Sequence, residues 1–245
     1  MTETPVVPAP ATPDIAAAGF APVIPALEVT LTAPIASFRN PLYAGVQVAL
    51  PCPPPATVGG MLAAAAGGWE QVERGARFAM AFHARGQGVD YETYHPLDPS
   101  GKKASPTPRN REFLTDTTLT VWLVEEVERW ERRLRRPVWS LRLGRSQDLV
   151  GIALRRVNLH PDREGQQRSA VIPDPAARAG SDRPHGTLLR LPTAVSRGRD
   201  RTRWDSYRFD ASGRSEYTVP GSYSTQGGQA VVLLNSSHPA ALVGR

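Results

Sequence analysis

The side chains that could carry chemistry in this chain are mostly arginines. The chain has 245 residues, 29 of them basic, and a net charge of +6. Lys102 and Lys103 are the only lysines, so 29 − 2 = 27 of the basic residues are arginine. The planar guanidinium group pairs two ways with a phosphate and stacks on bases. This balance therefore indicates a nucleic-acid partner, RNA in particular.

The other reactive side chains form no recognised catalytic or metal-binding motif. No two histidines have the spacing of metal ligands on a helix, and the only cysteine is Cys52, which excludes an internal disulfide. The chain also lacks a phosphate-binding loop, a dinucleotide fingerprint and a nucleophile elbow. We therefore expect neither a metal nor another cofactor. The five histidines are His83, His95, His160, His185 and His238.

One catalytic possibility needs no metal. RNA cleavage by the neighbouring 2′-hydroxyl requires a base, an acid for the leaving oxygen and a cation for the phosphorane. Tyrosine, histidine and lysine can fill these roles, but in this chain they are spread along the sequence rather than grouped in one motif. The candidates are Tyr43, His95, Lys102 and Lys103.

The sequence predicts a strand, a loop and a short helix over residues 27–68, and the loop is the first candidate functional segment. Apolar and polar residues alternate over 27–32, which is typical of a half-buried strand. The loop that follows carries Ser37-Phe38-Arg39, and a proline run then leads to a helix. We predict Thr57 as the N-cap of a helix over 58–66 that ends at Gly67.

Two glycines, Gly59 and Gly60, lie in the first turn of this predicted helix. Each costs about 0.5–1 kcal/mol of helix stability relative to alanine, so we expect a binding or packing interaction to compensate for this cost. Bare backbone at a helix N-terminus can approach a phosphate closely. Glycines can equally let a helix pack tightly on a sheet. Both interpretations remain open at this level.

A second strand is predicted over 77–83, after which the periodicity disappears over 86–110. So long an aperiodic stretch in a compact domain is usually functional or disordered. We predict a projecting, hairpin-like arm suited to single-stranded RNA, in which bases stack on rings and phosphates meet cations. A solvated loop is the alternative. The arm carries Tyr91, Tyr94 and His95 before its turn and Lys102, Lys103, Arg109 and Arg111 after it.

Two more strands and a helix complete the first unit. Alternation predicts a strand over 118–124, and an apolar stripe of Val127, Trp130 and Leu134 predicts a helix over 125–136. A fourth strand is predicted over 139–143. The order strand, helix, strand, strand, helix, strand is the split βαβ pattern of a ferredoxin-like α+β fold of the RRM type, with both helices on one face of an antiparallel sheet.

The segments outside this unit differ in composition. Residues 1–25 are rich in proline and alanine and are predicted to be a disordered extension; residues 26–158 form the ferredoxin-like domain with its arm at 86–110. Residues 159–245 should form a smaller β-rich part with basic loops. No membrane-spanning run and no signal-peptide pattern occur, so we expect a cytoplasmic protein. Short strands are predicted over 152–159, 187–191, 203–209 and 230–234.

Three segments in order resemble the CRISPR-associated protein five family, which belongs to the RAMP group of RNA-binding proteins. The first is the Ser37-Phe38-Arg39 loop followed by the proline run and the glycine pair at 53–60. The second is Arg111-Glu112-Phe113-Leu114, and the third is Leu143-Gly144-Arg145-Ser146. The resemblance spans about residues 27–158 and is closest to the type I-B-like branches.

The resemblance implies a subunit of a type I CRISPR Cascade effector complex, acting in antiviral defence. Its arm would hook the 5′ handle of the crRNA. It would contact the backbone subunit and the large subunit and reach target DNA only through the complex. Phe38 would act by stacking or packing and the basic side chains by phosphate pairing. The implied RNA-binding residues are Phe38, Arg39, Gly59, Gly60, Lys102, Lys103, Arg109, Arg111, Arg142 and Arg145.

The resemblance also bears on catalysis. The type I-C branch cleaves precursor RNA with a tyrosine and an adjacent lysine-histidine pair. Tyr43 could match the tyrosine, but Ala104 follows Lys102-Lys103 and the chain contains no Lys-His dipeptide. We therefore expect a subunit that is not an enzyme. A metal-independent endoribonuclease that processes precursor crRNA is the alternative, and a ferredoxin-like module that binds an acidic protein is a third reading.

Overall fold

The computed structural model describes residues 22–43, 48–94, 106–179 and 184–242. Three α-helices and nine strands alternate along this part of the chain, with two 3₁₀ turns, Trp69–Gln71 and Pro239–Leu242. The elements in order are β1 (Ile24–Ala36), α1 (Pro55–Ala66), β2 (Ala79–Tyr94), β3 (Thr107–Leu123), α2 (Val127–Arg135), β4 (Gly151–Leu159), β5 (Ile172–Pro173), α3 (Asp174–Arg178), β6 (Thr187–Val195), β7 (Thr202–Phe209), β8 (Tyr223–Ser224) and β9 (Ala230–Val231).

The main sheet has four strands in the order β2-β3-β1-β4, and every neighbouring pair is antiparallel. Strands that follow one another through a helix, β1 with β2 and β3 with β4, are not neighbours in this order. This is the arrangement that a split βαβ unit produces. The predicted ferredoxin-like α+β fold is therefore confirmed.

Both helices lie on one face of this sheet. Leu27, Val29 and Leu31 of β1 alternate toward that face and are fully buried, and the facing residues of β2 and β3 join them in one apolar core. Helix α2 contributes the predicted stripe to this core, including Trp130 and Leu134. Burial of this alternating surface fixes the register, because a slip by one residue would expose it.

Helix α1 begins three residues before the predicted start. Its N-cap is Pro54 rather than Thr57, and Pro55 is the first helical residue, where a missing N–H is not needed for an intrahelical bond. The amides of Thr57 and Val58 both donate to the Pro54 carbonyl. The helix ends as predicted at Gly67, whose left-handed backbone (φ 94°) closes the last turn.

The C-terminal part packs on both sides of the main sheet. Trp122, Ala26 and Ala81 on the face opposite the helices are covered by residues 170, 172, 219 and 230–231. Ala170 forms an antiparallel bridge with Ala81, so the chain also extends the edge of β2. On the helix side, Leu191 and Tyr207 of a second sheet, ordered β5-β7-β6, join the main core.

The fourth strand was predicted in the wrong place. Residues 139–143 form no strand; only Arg142 makes an isolated bridge, with Leu149, and Trp139 is 64% exposed. The sheet is instead completed by β4, which pairs with β1 over nine residues, from Ile24 opposite Leu159 to Thr32 opposite Gly151. Apolar residues alternate throughout 139–143, whereas in 151–159 the alternation changes phase at Arg155-Arg156, so alternation favoured the wrong segment. Only the later one is long enough to pair along most of β1.

Strands β2 and β3 are far longer than predicted and form the arm. Residues 79–94 pair with 107–122 in a single register, from Ala79 opposite Trp122 to Tyr94 opposite Thr107. The arm is therefore a two-stranded ribbon, as a hairpin-like arm requires, and its outer part, 95–105, lies outside the described residues. Strand β1 starts at Ile24, inside the predicted extension, and residues 1–21 are not described. No helix in the described ranges is long and apolar enough to cross a membrane.

Candidate nucleic-acid interface

The three sequence segments singled out above meet at the base of the arm. The Ser37 hydroxyl donates to the carbonyl of Glu112 in β3 at 2.7 Å. Gly144 lies against the same loop, since a Cβ added to Gly144 would come within 2.6 Å of the Ser37 carbonyl oxygen. The loop after β1, the arm and the turn before β4 thus form one contact cluster, which we call the arm base.

Phe38 supports this cluster from inside. It is 3% exposed, and its ring meets the Phe82 ring edge to face with centroids 5.6 Å apart. A ring buried in this way offers no free face to a base. Of the two roles predicted for Phe38, the structure shows packing and leaves no surface for stacking. Its neighbour Arg39 points outward and bridges to Ala49 across the loop.

The turn before β4 depends on Gly144 and on an ion pair that follows it. Gly144 has φ 100°, a left-handed conformation that favours glycine. The Arg145 guanidinium pairs with the Asp148 carboxylate at 2.8 Å, and Asp148 also accepts the Arg145 backbone amide. The side chains are 18% and 3% exposed. Arg145 therefore holds the turn closed, and its predicted phosphate contact competes with this pair.

Arg111 is also engaged within the protein. Its guanidinium forms a bidentate pair with Asp90 on the neighbouring strand and a second contact with Glu92 at 3.1 Å. Hydrogen bonding to Arg111 holds the pKa of Asp90 below its usual range. The Arg111 side chain is 12% exposed. Arg111 thus joins the two strands of the arm, and little of it is left for a phosphate.

Three other predicted residues carry accessible positive charge. Arg39, Arg109 and Arg142 are exposed, and none makes an ion pair with another described residue. They lie respectively on the loop after β1, on the arm, and beside the Gly144 turn, so all three belong to elements that meet at the arm base. The predicted contacts Lys102 and Lys103 lie outside the described residues.

The glycine pair of α1 does not form an anion site. Because the helix starts at Pro55, Gly59 and Gly60 lie in its second turn, where amides are used within the helix. Gly59 is buried, and an added Cβ would approach the Ser237 Cβ at 2.6 Å, whereas a Cβ added to Gly60 would have no atom of another described segment within 4 Å. Tight packing explains Gly59, although the partner is the C-terminal segment rather than the sheet. The position of Gly59 and Gly60 in the second turn therefore does not support the phosphate contact predicted for them.

Alanine substitutions in this pair should have opposite effects. Gly59→Ala must displace Ser237, so we expect a net loss of about 1 kcal/mol in the free energy of unfolding, after the gain in helix propensity. Gly60→Ala meets no neighbour and should gain about 0.5 kcal/mol. Urea denaturation of both variants measures the difference. Equal effects would contradict the packing role of Gly59.

A groove of about 310 Å³ opens beside the arm base. Its walls are residues 49–51, 87–89 and 112–114, and the Glu112 carboxylate accepts the Ala49 amide at its edge. The volume is at the small end of ligand pockets. With one carboxylate and apolar walls, the groove suits an uncharged group such as a base better than a phosphate.

The residues considered for RNA cleavage are only partly described. Tyr43 is 51% exposed and follows Arg39 on the same loop, whereas His95, Lys102 and Lys103 lie outside the described residues. Within the described ranges no three potential metal ligands cluster. Because three of the four candidates lie outside the described residues, the structure does not test this catalytic arrangement.

Sequence reasoning missed the carboxylates that hold the arm base together. Asp148 had a local signal, since it follows Arg145 by three residues around a glycine turn. Asp90 is 21 residues from Arg111 and Glu112 is 63 from Ala49, so no local pattern could have paired them. These acids decide which predicted arginines are free.

Comparisons with known proteins agree with this architecture. Residues 26–226 match the family model described as CRISPR-associated protein (Cas_Cas5). A CRISPR protein from Archaeoglobus fulgidus is 14% identical, with a TM-score of 0.50 over 86% of this chain and 100% of that one. A chain of a CRISPR RNA-guided surveillance complex is 15% identical, with a TM-score of 0.48 over 84% of this chain and 93% of that one.

No curated protein matches the chain. At 14% identity and a TM-score of 0.50, the Archaeoglobus fulgidus structure shows a shared fold alone. The family model is stronger, because it covers most of the chain, including all four strands of the main sheet, the arm and the Gly144 turn. The chain therefore belongs to the CRISPR-associated protein (Cas_Cas5) family.

Proposed function

We propose that this protein is an RNA-binding subunit of a type I CRISPR Cascade effector complex and holds the 5′ handle of the crRNA at the arm base. The observation that carries the proposal is that the three elements that meet there each carry one exposed arginine without an ion pair to another described residue. Arg39, Arg109 and Arg142 come from three separate elements that the Ser37, Gly144 and Arg145 contacts hold together. Family membership supports the same role.

The paired and the unpaired arginines have different roles at this site. Arg111 and Arg145 are neutralised by Asp90, Glu92 and Asp148 and rigidify the surface. The unpaired arginines then meet phosphates without first breaking an internal pair. Such contacts position the strand but carry no sequence information. The groove lined by Glu112 and Phe113 offers space for one base and would supply selectivity.

Neutralising the three free arginines should weaken RNA binding in a salt-dependent way. Each phosphate contact on single-stranded RNA contributes a slope of about −0.7 to log K against log salt. The variant Arg39→Gln/Arg109→Gln/Arg142→Gln should therefore flatten the slope by about 2. The measurement is fluorescence anisotropy with a labelled repeat-derived RNA at several salt concentrations.

A matched control is Arg190→Gln/Arg199→Gln/Arg214→Gln, which removes the same charge from exposed arginines of the C-terminal part. This control should change the slope by much less, because its residues lie away from the arm base. If both triple variants lower affinity equally, binding depends on net charge and the proposed site is wrong. Loss of preference for repeat-derived over unrelated RNA only in the first variant would support handle recognition.

We propose further that the subunit is not itself an enzyme and acts in the cytoplasm, with the backbone subunit and the large subunit as protein partners. The competing function, a metal-independent endoribonuclease, rests on the exposure of Tyr43 beside Arg39. Incubating the protein with labelled precursor RNA in EDTA separates the two. A discrete cut that Tyr43→Phe abolishes would establish the nuclease; an intact, shifted RNA supports the non-catalytic subunit.

A further inference from the structure

The C-terminal end of α2 and the chain that follows it form a second basic surface. From residue 132 to 147 the sequence contains no acidic side chain, and residues 135–140 are all exposed. Residues 132–147 contain six arginines and one tryptophan. We call the exposed part, Arg132, Arg136 and Trp139, the α2 platform.

Trp139 is the most unusual member. It is 64% exposed, whereas Trp122 and Trp130 are each 3% exposed. Its indole has no described ring or cation partner, in contrast to Trp130, over which Arg133 lies with its central carbon 5.2 Å from the ring centroid. A large exposed indole loses the free energy of burial unless something else covers it. Trp139 therefore presents an unused aromatic face.

The arginines of this stretch divide as they do at the arm base. Arg133 donates to the Gln71 carbonyl, and Arg135 pairs with Glu131 at 2.7 Å. Arg132 and Arg136 make no ion pair with any described residue and are exposed. Arg132 lies in the last turn of α2 and Arg136 is its C-cap residue, whose amide donates to the Arg132 carbonyl, so the two residues lie close together at the end of the helix.

We infer that the α2 platform binds single-stranded nucleic acid, with a base stacked on Trp139 and phosphates paired to Arg132 and Arg136. Exposed aromatic faces combined with unpaired cations are what proteins use to bind single strands without sequence preference, and the α2 platform supplies both within eight residues of chain. Absence of acids across the stretch favours a polyanion. The arginines also offset the partial negative charge at the end of α2.

This contact is separate from the handle site proposed above. The two sites share no residue, and Arg142, which is three residues from Trp139 in the sequence, is left out of the test. Because stacking and phosphate pairing do not require a 2′-hydroxyl, RNA and DNA strands are both candidates. Handle recognition should depend on Arg39 and Arg109 and should select repeat-derived RNA, whereas the platform should not.

The test uses the full chain and a short single-stranded oligonucleotide of unrelated sequence, made as RNA and as DNA. Stacking should quench the fluorescence of Trp139, the most exposed of the tryptophans that the structure describes. Trp139→Ala should weaken binding about tenfold, whereas Trp139→Phe, which keeps an aromatic face, should weaken it far less. Since the side chain is mostly exposed, neither variant should alter the melting temperature appreciably.

Arg132→Gln/Arg136→Gln should flatten the salt slope by about 1.4, two phosphates at about 0.7 each. The control Arg190→Gln/Arg214→Gln removes equal charge elsewhere and should change the slope much less. Unchanged affinity in Trp139→Ala for both oligonucleotides would overturn the platform. If Trp139→Ala binds the oligonucleotides normally but fails to assemble with the other subunits, the platform proposal is also overturned, because the surface then binds a protein.

Failure of this inference is distinguishable from failure of the handle site. If the platform is wrong but handle binding is right, Trp139→Ala leaves all binding intact and the Arg39/Arg109 variants lose repeat-derived RNA. If only the handle site is wrong, the Trp139 and Arg132/Arg136 effects persist and no preference for repeat RNA exists. RNA and DNA should bind the platform within a few-fold of each other; strong preference for either would contradict a contact that ignores the 2′-hydroxyl.

Discussion

Gly144→Ala should destabilise the protein by about 3 kcal/mol and abolish the high-affinity RNA contact. Two costs add at this position. Alanine is strained at φ 100°, and its Cβ would lie 2.6 Å from the Ser37 carbonyl oxygen, which is backbone and cannot rotate away. The loop after β1 must then shift, and with it Arg39. Thermal unfolding should show a melting temperature lower by roughly 10 °C.

Gly60→Ala is the control for this experiment, because it adds the same methyl group in open space on a helix. We expect it to bind RNA normally. If Gly144→Ala keeps wild-type stability, the turn has more freedom than its contacts indicate. If Gly144→Ala lowers stability but not RNA affinity, the turn has only a structural role, and the position of Arg39 does not depend on it.

Removing the Arg145 guanidinium should cost about 3 kcal/mol, because it leaves the Asp148 carboxylate, 3% exposed, without its partner. The single substitution Arg145→Gln is therefore expected to open the turn before β4. Chemical denaturation measures the loss. Arg135→Gln breaks an ion pair of similar length whose arginine is 64% exposed, and should change stability little, because solvent screens such pairs.

A double-mutant cycle isolates the pair. Asp148→Asn alone should also destabilise, but Arg145→Gln/Asp148→Asn should recover part of the loss, since no charge is then buried alone. Additive effects would show that the two side chains act independently. If the double variant also binds repeat-derived RNA with wild-type affinity, Arg145 contributes no phosphate contact of its own, which is what its ion pair leads us to expect.

Much of the fold followed from local pattern. Alternation located β1 and the inner halves of β2 and β3, and the stripe of Val127, Trp130 and Leu134 gave α2 to within two residues. These signals are reliable because one face of each element is buried, which imposes the period directly on the sequence. The segment before the Gly144 turn alternates more regularly than the segment after it, and β4 was therefore misplaced.

The arm shows a different limit. Residues 86–94 and 107–115 are paired strands, but apolar residues do not alternate there, because this ribbon extends beyond the core and is held by cross-strand pairs such as Asp90–Arg111 and by Phe113 over Gly88. Such pairs join residues far apart in sequence. Composition identified the arm as unusual, and only pairing showed that it is a strand.

The sequence by itself determined the fold class, the family and the arginine-rich character of the chain, because these reside in periodicity, in short ordered motifs and in composition. Only the tertiary structure decided which arginines are available. Arg111 and Arg145 pair with carboxylates, whereas Arg39 and Arg142 make no ion pair with a described residue. The residues adjacent to Arg39 and Arg111 in the sequence do not indicate this difference. Availability of a charge depends on distances between side chains, and folding sets those distances across the whole chain.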